Sequence, residues 1–364
     1  MTNETRLKVA LLVREHLSHD DGTTVRAKRV FACLSQHFDT TIIGLGKSDV
    51  PERSLAVRVP DLIPLLQIPL WLIGVVQLLM SHKFDILYIC DDWFGSVVYL
   101  IMHRLFKQRL IFEAHGILSE ESRVYGKSRF LTWLLHCWEI IVSSKCDLVI
   151  ALSIDISRFY KRYARRVELI PVFVDTAAYN VKSRRAEQFK ESIFRGKKLV
   201  GVIGPFDIKW NESSLDFLEK NINQFDPRIT FAIIGRCKRK KMIARTFYTG
   251  YLTDFNTFLS HLDAVLVTST LSTSGPLNKI IEPMACSLPV FTTPEGFVGM
   301  DYAKAGKDIV VAKQIDMVRT VNSLIFNESL MTTIGRAARS TVQRYYSLDV
   351  NRERLFEITS SLSA

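Results

Sequence analysis

One stretch, SGPLNKIIEPMACSLPVFTTPEG (residues 274–296), gathers residue types that could hold a charged ligand. Gly275 and Pro276 fit a helix start, with proline near the first helical position, where its missing N–H costs nothing. The amides of Leu277, Asn278 and Lys279 would then open out of the helix end, where the dipole favours an anion such as a diphosphate. Glu282 comes four residues after Asn278 and three after Lys279, so it shares their helix face. A carboxylate there stands too near the phosphates for ionic contact with them, but it can accept two hydrogen bonds from a ribose diol just beyond. Phosphates on the amides and a sugar on the acid describe a nucleotide. Taken alone, the same stretch also fits an ordinary helix with one exposed glutamate. Pro283 is an irregularity, because inside a helix it frees the carbonyl of Lys279 and bends the turn.

An anion seat at a helix start needs strands to aim it. The runs KVALLV, TTIIGL, DILYIC, RLIFEAHG and DLVIALS alternate with helix-length segments such as TVRAKRVFACLSQHF. That alternation predicts parallel βαβ units and a doubly wound α/β domain. After VELIPVFVD the pattern loosens into a polar, charged stretch, and strand-like runs resume at LVGVIG, TFAIIG, AVLVTS and LPVFTT. The expected organisation is a Rossmann-like domain over 1–175, a linker over 176–196, a second Rossmann-like domain over 197–345, and a C-terminal helix over 346–364 able to pack back on the first domain. Two such halves would face each other across a cleft at the carboxyl ends of their sheets, where open α/β folds place ligands.

Composition agrees. The chain has 364 residues, 48% hydrophobic and 23% charged, which is long enough for two domains and too apolar for disorder. A formal charge of +11 suits a nucleotide, an anionic membrane surface or a nucleic acid without choosing among them. The six cysteines are scattered through mostly apolar runs with no CxxC, and read as reduced thiols. The start, MTNETRLKVALLV, lacks the order of a signal peptide, so the chain is expected to stay in the cytoplasm. Residues 62–80, LIPLLQIPLWLIGVVQLLM, are apolar enough to raise three readings: a buried helix starting at Pro69, an in-plane membrane contact, or a span. Two prolines and two glutamines interrupt the run, and the part after Pro69 is short for a span.

The 274–296 stretch resembles the carboxyl-terminal signature of family 4 retaining glycosyltransferases, in which a Gly-rich loop leads into a Lys-x-x-Glu-x-Met-Ala helix and a Pro-Val strand. DDGTTVRAKRVFACLSQHF resembles the family's amino-terminal Gly loop and first helix, IFEAHGI its His-Gly strand end, and KCDLVIALS the strand before its linker. GPFDIKWN resembles the start of the second domain, and TGYLTDFNTFLSHLDAVLVTS the base-binding turn with its helix and strand. The resemblance spans nearly the whole chain and implies the GT-B fold. It implies that Glu282 binds the ribose hydroxyls and that the backbone from Gly275 through Leu277 and Asn278 to Lys279 binds the diphosphate. It also implies that Gly250, Tyr251 and Leu252 border the base, that His115 approaches the transferred sugar, and that Gly22, with Arg26 on the helix after it, lets the first loop reach phosphate or acceptor.

Departures from that pattern bear on the donor. The family's second glutamate, eight positions before the ribose-binding one, is Ser274 here. Pro205 stands where an arginine is common, and Lys209 falls one residue off the usual lysine register. The Asp91-Asp92-Trp93 run is not Asp-x-Asp, and no metal or other cofactor is expected besides the nucleotide-sugar co-substrate. The lone Gly44-Leu45-Gly46 lacks the rest of a dinucleotide fingerprint. The basic runs KRYARR (161–166) and RCKRKK (236–241) lack the interleaved aromatics of a nucleic-acid platform; an anionic membrane suits them better. The reading is a hexosyltransferase that moves a sugar from a nucleotide-sugar to a glycan, lipid-linked or small-molecule acceptor with retention. It has no nucleic-acid partner and is able to touch a membrane peripherally. Its alternatives are a sugar-nucleotide 2-epimerase of the same architecture and a catalytically weak nucleotide-sugar-binding partner subunit.

Overall fold

The computed structural model describes residues 6–17, 22–45, 54–57, 59, 64–179, 196–206, 209–237, 243–270 and 275–362, of which 64–66, 209 and 210 are described in backbone only. The chain divides into two units, Met1–Pro171 with Leu348–Ala364, and Val172–Ser347.

The first unit runs β1 (Lys8–His16), α1 (Gly22–Leu34), β2 (Asp39–Leu45), β3 (Ser54–Val57), α2 (Pro64–Ser81), β4 (Ile86–Cys90), α3 (Ser96–Leu105), β5 (Arg109–Ala114), α4 (Leu118–Val124), α5 (Arg129–Lys145), β6 (Leu148–Ala151), α6 (Ile154–Tyr160) and β7 (Val167–Leu169). Its seven strands lie in the order β3-β2-β1-β4-β5-β6-β7, and every pairing is parallel. Every residue of β4 and β6 is buried, as expected of strands with both faces covered. Chain order reverses between β1 and β4, which pair from Val9↔Ile86 to Val13↔Cys90. The carboxyl ends of β1, β4 and β5 therefore meet at the switch point, where α/β sheets take ligands.

Right-handed crossovers set α1 on one face of this sheet and α2, α3 and α5 on the other. The last helix, α13 (Leu348–Ser360), packs against α1, with the Phe356 ring 4.2 Å from that of His37. Helix α2 differs from the expected start at Pro69. It begins at Pro64, a favourable first position for proline, and continues through Pro69, which removes one donor near the amino end. Among the described residues no helix is long and apolar enough to cross a membrane.

The second unit runs β8 (Lys198–Ile203), α7 (Lys209–Asn221), β9 (Ile229–Ile234), β10 (Thr246–Gly250), α8 (Phe255–Leu259), β11 (Ala264–Val267), α9 (Asn278–Ala285), β12 (Val290–Thr292), α10 (Pro294–Phe297), β13 (Val310–Val311), α11 (Met317–Leu324) and α12 (Glu328–Thr341). Its six strands are parallel in the order β10-β9-β8-β11-β12-β13. Phe231, Ile233, Val200 and Leu266 from the strands pack with Leu215, Leu218, Met317 and Val321 from the helices into one core. The unit boundary falls at Val172, upstream of the 176–196 linker expected from composition, because Val174 pairs with Ser347 at the end of this same unit. Residues 180–195 of that linker lie outside the described residues. All six cysteines are free, and Cys33, Cys90, Cys146 and Cys286 are buried.

Candidate functional site

In the second unit, helix α9 starts at Asn278, two residues later than the position of Pro276 suggested. Leu277 is its N-cap, in extended conformation (φ −96°, ψ 123°), and contributes no side-chain cap. The first intrahelical bond is that of the Ile280 amide to the Leu277 carbonyl at 3.0 Å, so the amides of Asn278 and Lys279 precede it at the dipole's positive end. Ile280, Ile281, Pro283, Met284 and Ala285 are buried, whereas Asn278, Lys279 and Glu282 are half-buried on one shared face. The entry loop is held close by Gly299, whose φ of +78° favours glycine and whose missing side chain leaves room 2.7 Å from the Gly275–Pro276 peptide.

Lys279 is the charged centre of this helix start. Its Nζ donates to Asn211 Oδ1 at 2.8 Å, and Asn211 Nδ2 donates to the Pro205 carbonyl at 3.3 Å. No carboxylate pairs with Lys279 among the described residues. Burial pushes its pKa down to about 8, which is what a desolvated ammonium without a counter-ion does. An ammonium, two helix amides and a carboxylate on one face can hold a diphosphate and an adjoining diol. At the far edge of the same sheet β10 ends at Gly250 in a left-handed turn (φ +66°), with exposed Tyr251 and half-buried Leu252 next in the chain. Gly250 accepts from the Gly235 amide at 3.0 Å.

In the first unit, charge collects at the ends of β4 and β5. Glu113, the last-but-one residue of β5, is fully buried and accepts from Arg26 Nη2 (2.8 Å) and Nε (3.1 Å), from the Tyr88 hydroxyl (2.5 Å) and, at Oε1, from His115 Nε2 (2.8 Å). Burial opposes its ionisation, but the guanidinium and the imidazole outweigh that and hold it well below the usual carboxylate range. The His115 amide donates to Asp91 Oδ1 at 3.3 Å. Burial disfavours the imidazolium, yet the charge of Asp91 and the bond to Glu113 prevail and raise the His115 pKa. With Nε2 on Glu113, Nδ1 is the ring nitrogen left to meet a ligand.

Asp91 sits in the left-handed region (φ +52°) and also accepts from Trp93 Nε1 at 3.1 Å. Asp92 is a buried hub, accepting from Tyr99 OH (2.7 Å), Trp71 Nε1 (3.1 Å) and the Gly95 amide (3.1 Å), with Arg14 Nε 3.3 Å away. Glu121 on α4 packs its carboxylate where a side chain at Gly116 would stand, so a larger residue at 116 would displace that carboxylate. Burial first, and then the charges of Asp91 and Glu139, push the Glu121 pKa up to about 7.

The structure thus brings Gly275, Leu277, Asn278, Lys279 and Glu282 together at one helix start, and places Gly250, Tyr251 and Leu252 at the end of β10 and His115 at the end of β5. Ser274 lies outside the described residues, as does the side chain of Lys209, which opens α7. Gly22 opens α1 and is exposed. Arg26 requires correction: it is 1% exposed, bonded to Glu113 and to the Pro171 carbonyl at 3.0 Å, so it has no surface to offer a phosphate or acceptor. The reason was available in spacing, since residues 26, 30 and 34 share the buried stripe of α1. The parts played by Asn211, Glu113, Asp91 and Glu121 emerge only from the structure. A glutamate inside the apolar run RLIFEA was the signal for Glu113, because a strand covered on both faces cannot leave a carboxylate unpaired.

Comparison with known proteins agrees with this architecture. Residues 21–178 match the family model described as Glycosyltransferase Family 4, and residues 197–327 that described as Glycosyl transferases group 1. Together they take in most of both units, and the chain belongs to these glycosyltransferases. Among solved structures, HepE of Anabaena in complex with UDP and glucose is 17% identical, with TM-score 0.79 over 98% of this chain and 100% of its own. Sucrose-phosphate synthase of Thermosynechococcus elongatus is 14% identical, with TM-score 0.82 over 98% and 99%. WaaG, a glycosyltransferase involved in lipopolysaccharide biosynthesis, is 11% identical, with TM-score 0.73 over 95% and 99%. At such identities the likeness establishes the fold, GT-B with two Rossmann-like domains. No curated protein matches the chain significantly.

Proposed function

We propose that the chain transfers a hexosyl group from a nucleotide-sugar to a glycan or lipid-linked acceptor with retention of configuration and without a metal. The observation that carries this reading is Lys279: a half-buried ammonium with no carboxylate partner among the described residues, at the start of α9 and on one face with Glu282. A diphosphate would supply the missing counter-charge, and Glu282 would accept from the ribose diol. HepE, solved with UDP-glucose, supports a nucleotide-sugar as the donor class.

In the chemistry this implies, the bond between the anomeric carbon and the diphosphate oxygen breaks while the acceptor oxygen bonds the same face of that carbon. The acceptor proton passes to the leaving diphosphate. Lys279 and the α9 amides stabilise the growing negative charge, a task that needs no metal. His115, held through Nε2 by Glu113, presents Nδ1 to a sugar hydroxyl. Six free cysteines favour a reducing compartment, and we place the enzyme in the cytoplasm, peripheral to a membrane.

Thermal shift with UDP, GDP and their sugar conjugates is the direct test, because a ligand at a hundred times its Kd stabilises by roughly 2.7 kcal/mol. Glu282→Gln should then weaken donor binding or transfer by roughly 1.5–3 kcal/mol while leaving the fold intact. Transfer, or donor hydrolysis, should survive EDTA. Unchanged donor affinity and turnover in folded Glu282→Gln would remove the acid from the site, and donor binding with neither transfer nor hydrolysis over a broad acceptor panel would make the chain a nucleotide-binding partner subunit. The carboxylates of Asp91, Glu113 and Glu121 near His115 favour one further reading, a sugar-nucleotide 2-epimerase, which epimerised donor formed without acceptor would reveal.

A further inference from the structure

Helices α2, α3 and α5 adjoin one another on a single face of the first sheet. The outward stripe of a surface helix is ordinarily polar. Here it is apolar on all three: Ile73 and Met80 on α2, Val97, Ile101 and Leu105 on α3, and Phe130, Trp133, Leu134 and Ile141 on α5 are exposed, Phe130 and Leu105 to 70%. Phe94, in the turn before α3, continues the patch to the carboxyl edge of the sheet. The opposite face, that of α1, is covered by α13. A contiguous apolar surface of this extent marks a docking site.

The charges around the patch identify what docks. From Ile73 to Lys145 the exposed residues include Lys83, Arg104, Lys107, Arg123, Lys127, Arg129 and Lys145, and the exposed acids are Asp85 and Glu120. Arg104, Lys107 and Lys145 stand at the carboxyl ends of α3 and α5, and Arg123, Lys127 and Arg129 around the start of α5, so cations border both ends. A second copy related by a two-fold axis would bring these cations toward their own images. An anionic bilayer meets both the cations and the apolar stripes, with aromatic rings at the headgroup level. We propose that the α2–α3–α5 face docks flat on an anionic lipid bilayer, and that the acceptor is an amphiphile whose head enters at the adjoining edge that holds His115.

This docking face differs from the one the sequence suggested. Among the described side chains of the 62–80 run, Trp71, Val75 and Leu79 are buried. In the 161–166 run, Arg162 lies over the rings of Phe159 and Tyr163, and Arg166 pairs with Glu168. Helices α3 and α5 carry the larger part of the surface. The choice of acceptor rests on the transferase reading; the docking itself does not.

The test is co-sedimentation of the full chain with vesicles of phosphatidylglycerol and phosphatidylcholine, against phosphatidylcholine alone, over a salt series. Partition into the anionic vesicles should exceed that into neutral ones at least tenfold at low salt and fall as salt rises. Phe130→Ser with Trp133→Ser, and separately Ile101→Ser with Leu105→Ser, should each lower partition at least tenfold with the melting temperature and the UDP-induced thermal shift unchanged. A parent protein that ignores both vesicles at low salt would overturn the proposal, as would variants that bind vesicles like the parent. A dimer in light scattering that both double variants convert to monomer would assign the face to a second copy and overturn it too. The UDP shift reads the transferase proposal independently, so failure of one is distinguishable from failure of the other.

Discussion

The two sheets handle charge at their carboxyl edges in opposite ways. At the edge of the first, Arg26, Glu113, His115 and Tyr88 satisfy one another inside the protein, and Arg26 and Glu113 are almost wholly buried. At the edge of the second, Lys279 meets only the amide oxygen of Asn211 among the described residues, and helix amides lie beside it. A closed network fixes the geometry of a side chain, here His115. An open cation is a seat for a ligand's charge. On the proposed reading the first edge positions and the second binds, and mutations should divide along that line.

The largest effect is expected in the closed network. Arg26→Leu leaves Glu113 buried without its main counter-charge, and removal of one partner of a buried pair costs about 3–5 kcal/mol. Denaturant titration should show that loss, and the double change Arg26→Leu with Glu113→Leu should recover a large part of it. A stability for Arg26→Leu within about 1 kcal/mol of the parent, on the order of an exposed pair, would show that the network is not closed.

Lys279→Met is expected to divide stability from binding. Removing a desolvated ammonium that has no carboxylate partner among the described residues should leave the ligand-free protein as stable as before or slightly more so. The depressed pKa has the same sign: the folded protein favours neutral Lys279, so this contribution is present at high pH and is lost as pH falls through about 8. A diphosphate favours the charged form and reverses that preference. UDP binding near pH 8 should take up protons, measurable by calorimetry in buffers of different ionisation enthalpy, and affinity should fall above that pH. In Lys279→Met the proton uptake should vanish and affinity drop by about 1.5–3 kcal/mol, roughly 10- to 150-fold. UDP affinity that is equal in parent and variant would mean that the cation does not meet the phosphates.

How far each edge could be read in the sequence depends on the range of its contacts. The face shared by Asn278, Lys279 and Glu282 was legible because helical spacing is local; only the start of the helix moved, from Pro276 to Asn278. The alternation of strands and helices showed the α/β class for the same reason. The Arg26–Glu113 pair joins residues 87 apart, and no periodicity announces such a partner, although each residue alone stood at a position that had to be buried. Helix α5, RFLTWLLHCWEIIVSSK, is apolar nearly all round, a pattern that ordinarily means burial on every side. Which of its sides stayed open was decided by the covering helix going to the other face of the sheet, a tertiary fact beyond local patterning.

The smallest expected effect refines the first edge. Glu121 folds with a pKa of about 7, raised by burial and then by Asp91 and Glu139, against an unfolded value of roughly 4.3. A raised folded pKa means that the group's contribution to stability is complete below the unfolded value and is lost as pH rises through the folded one. Glu121→Gln keeps the shape and the neutral state, so it should melt with the parent below about pH 4 and above it near pH 8. The gap should open by roughly 2–4 °C for each kcal/mol in a protein of this size. A gap that stays flat from pH 5 to pH 8 would mean that Glu121 titrates as an ordinary surface glutamate and that the space at Gly116 is kept for packing alone. With Lys279→Met altering UDP binding near pH 8, and Glu121→Gln altering stability between about pH 4 and about pH 7, the two variants together test the proposed division between a binding edge and a positioning one by pH as well as by place.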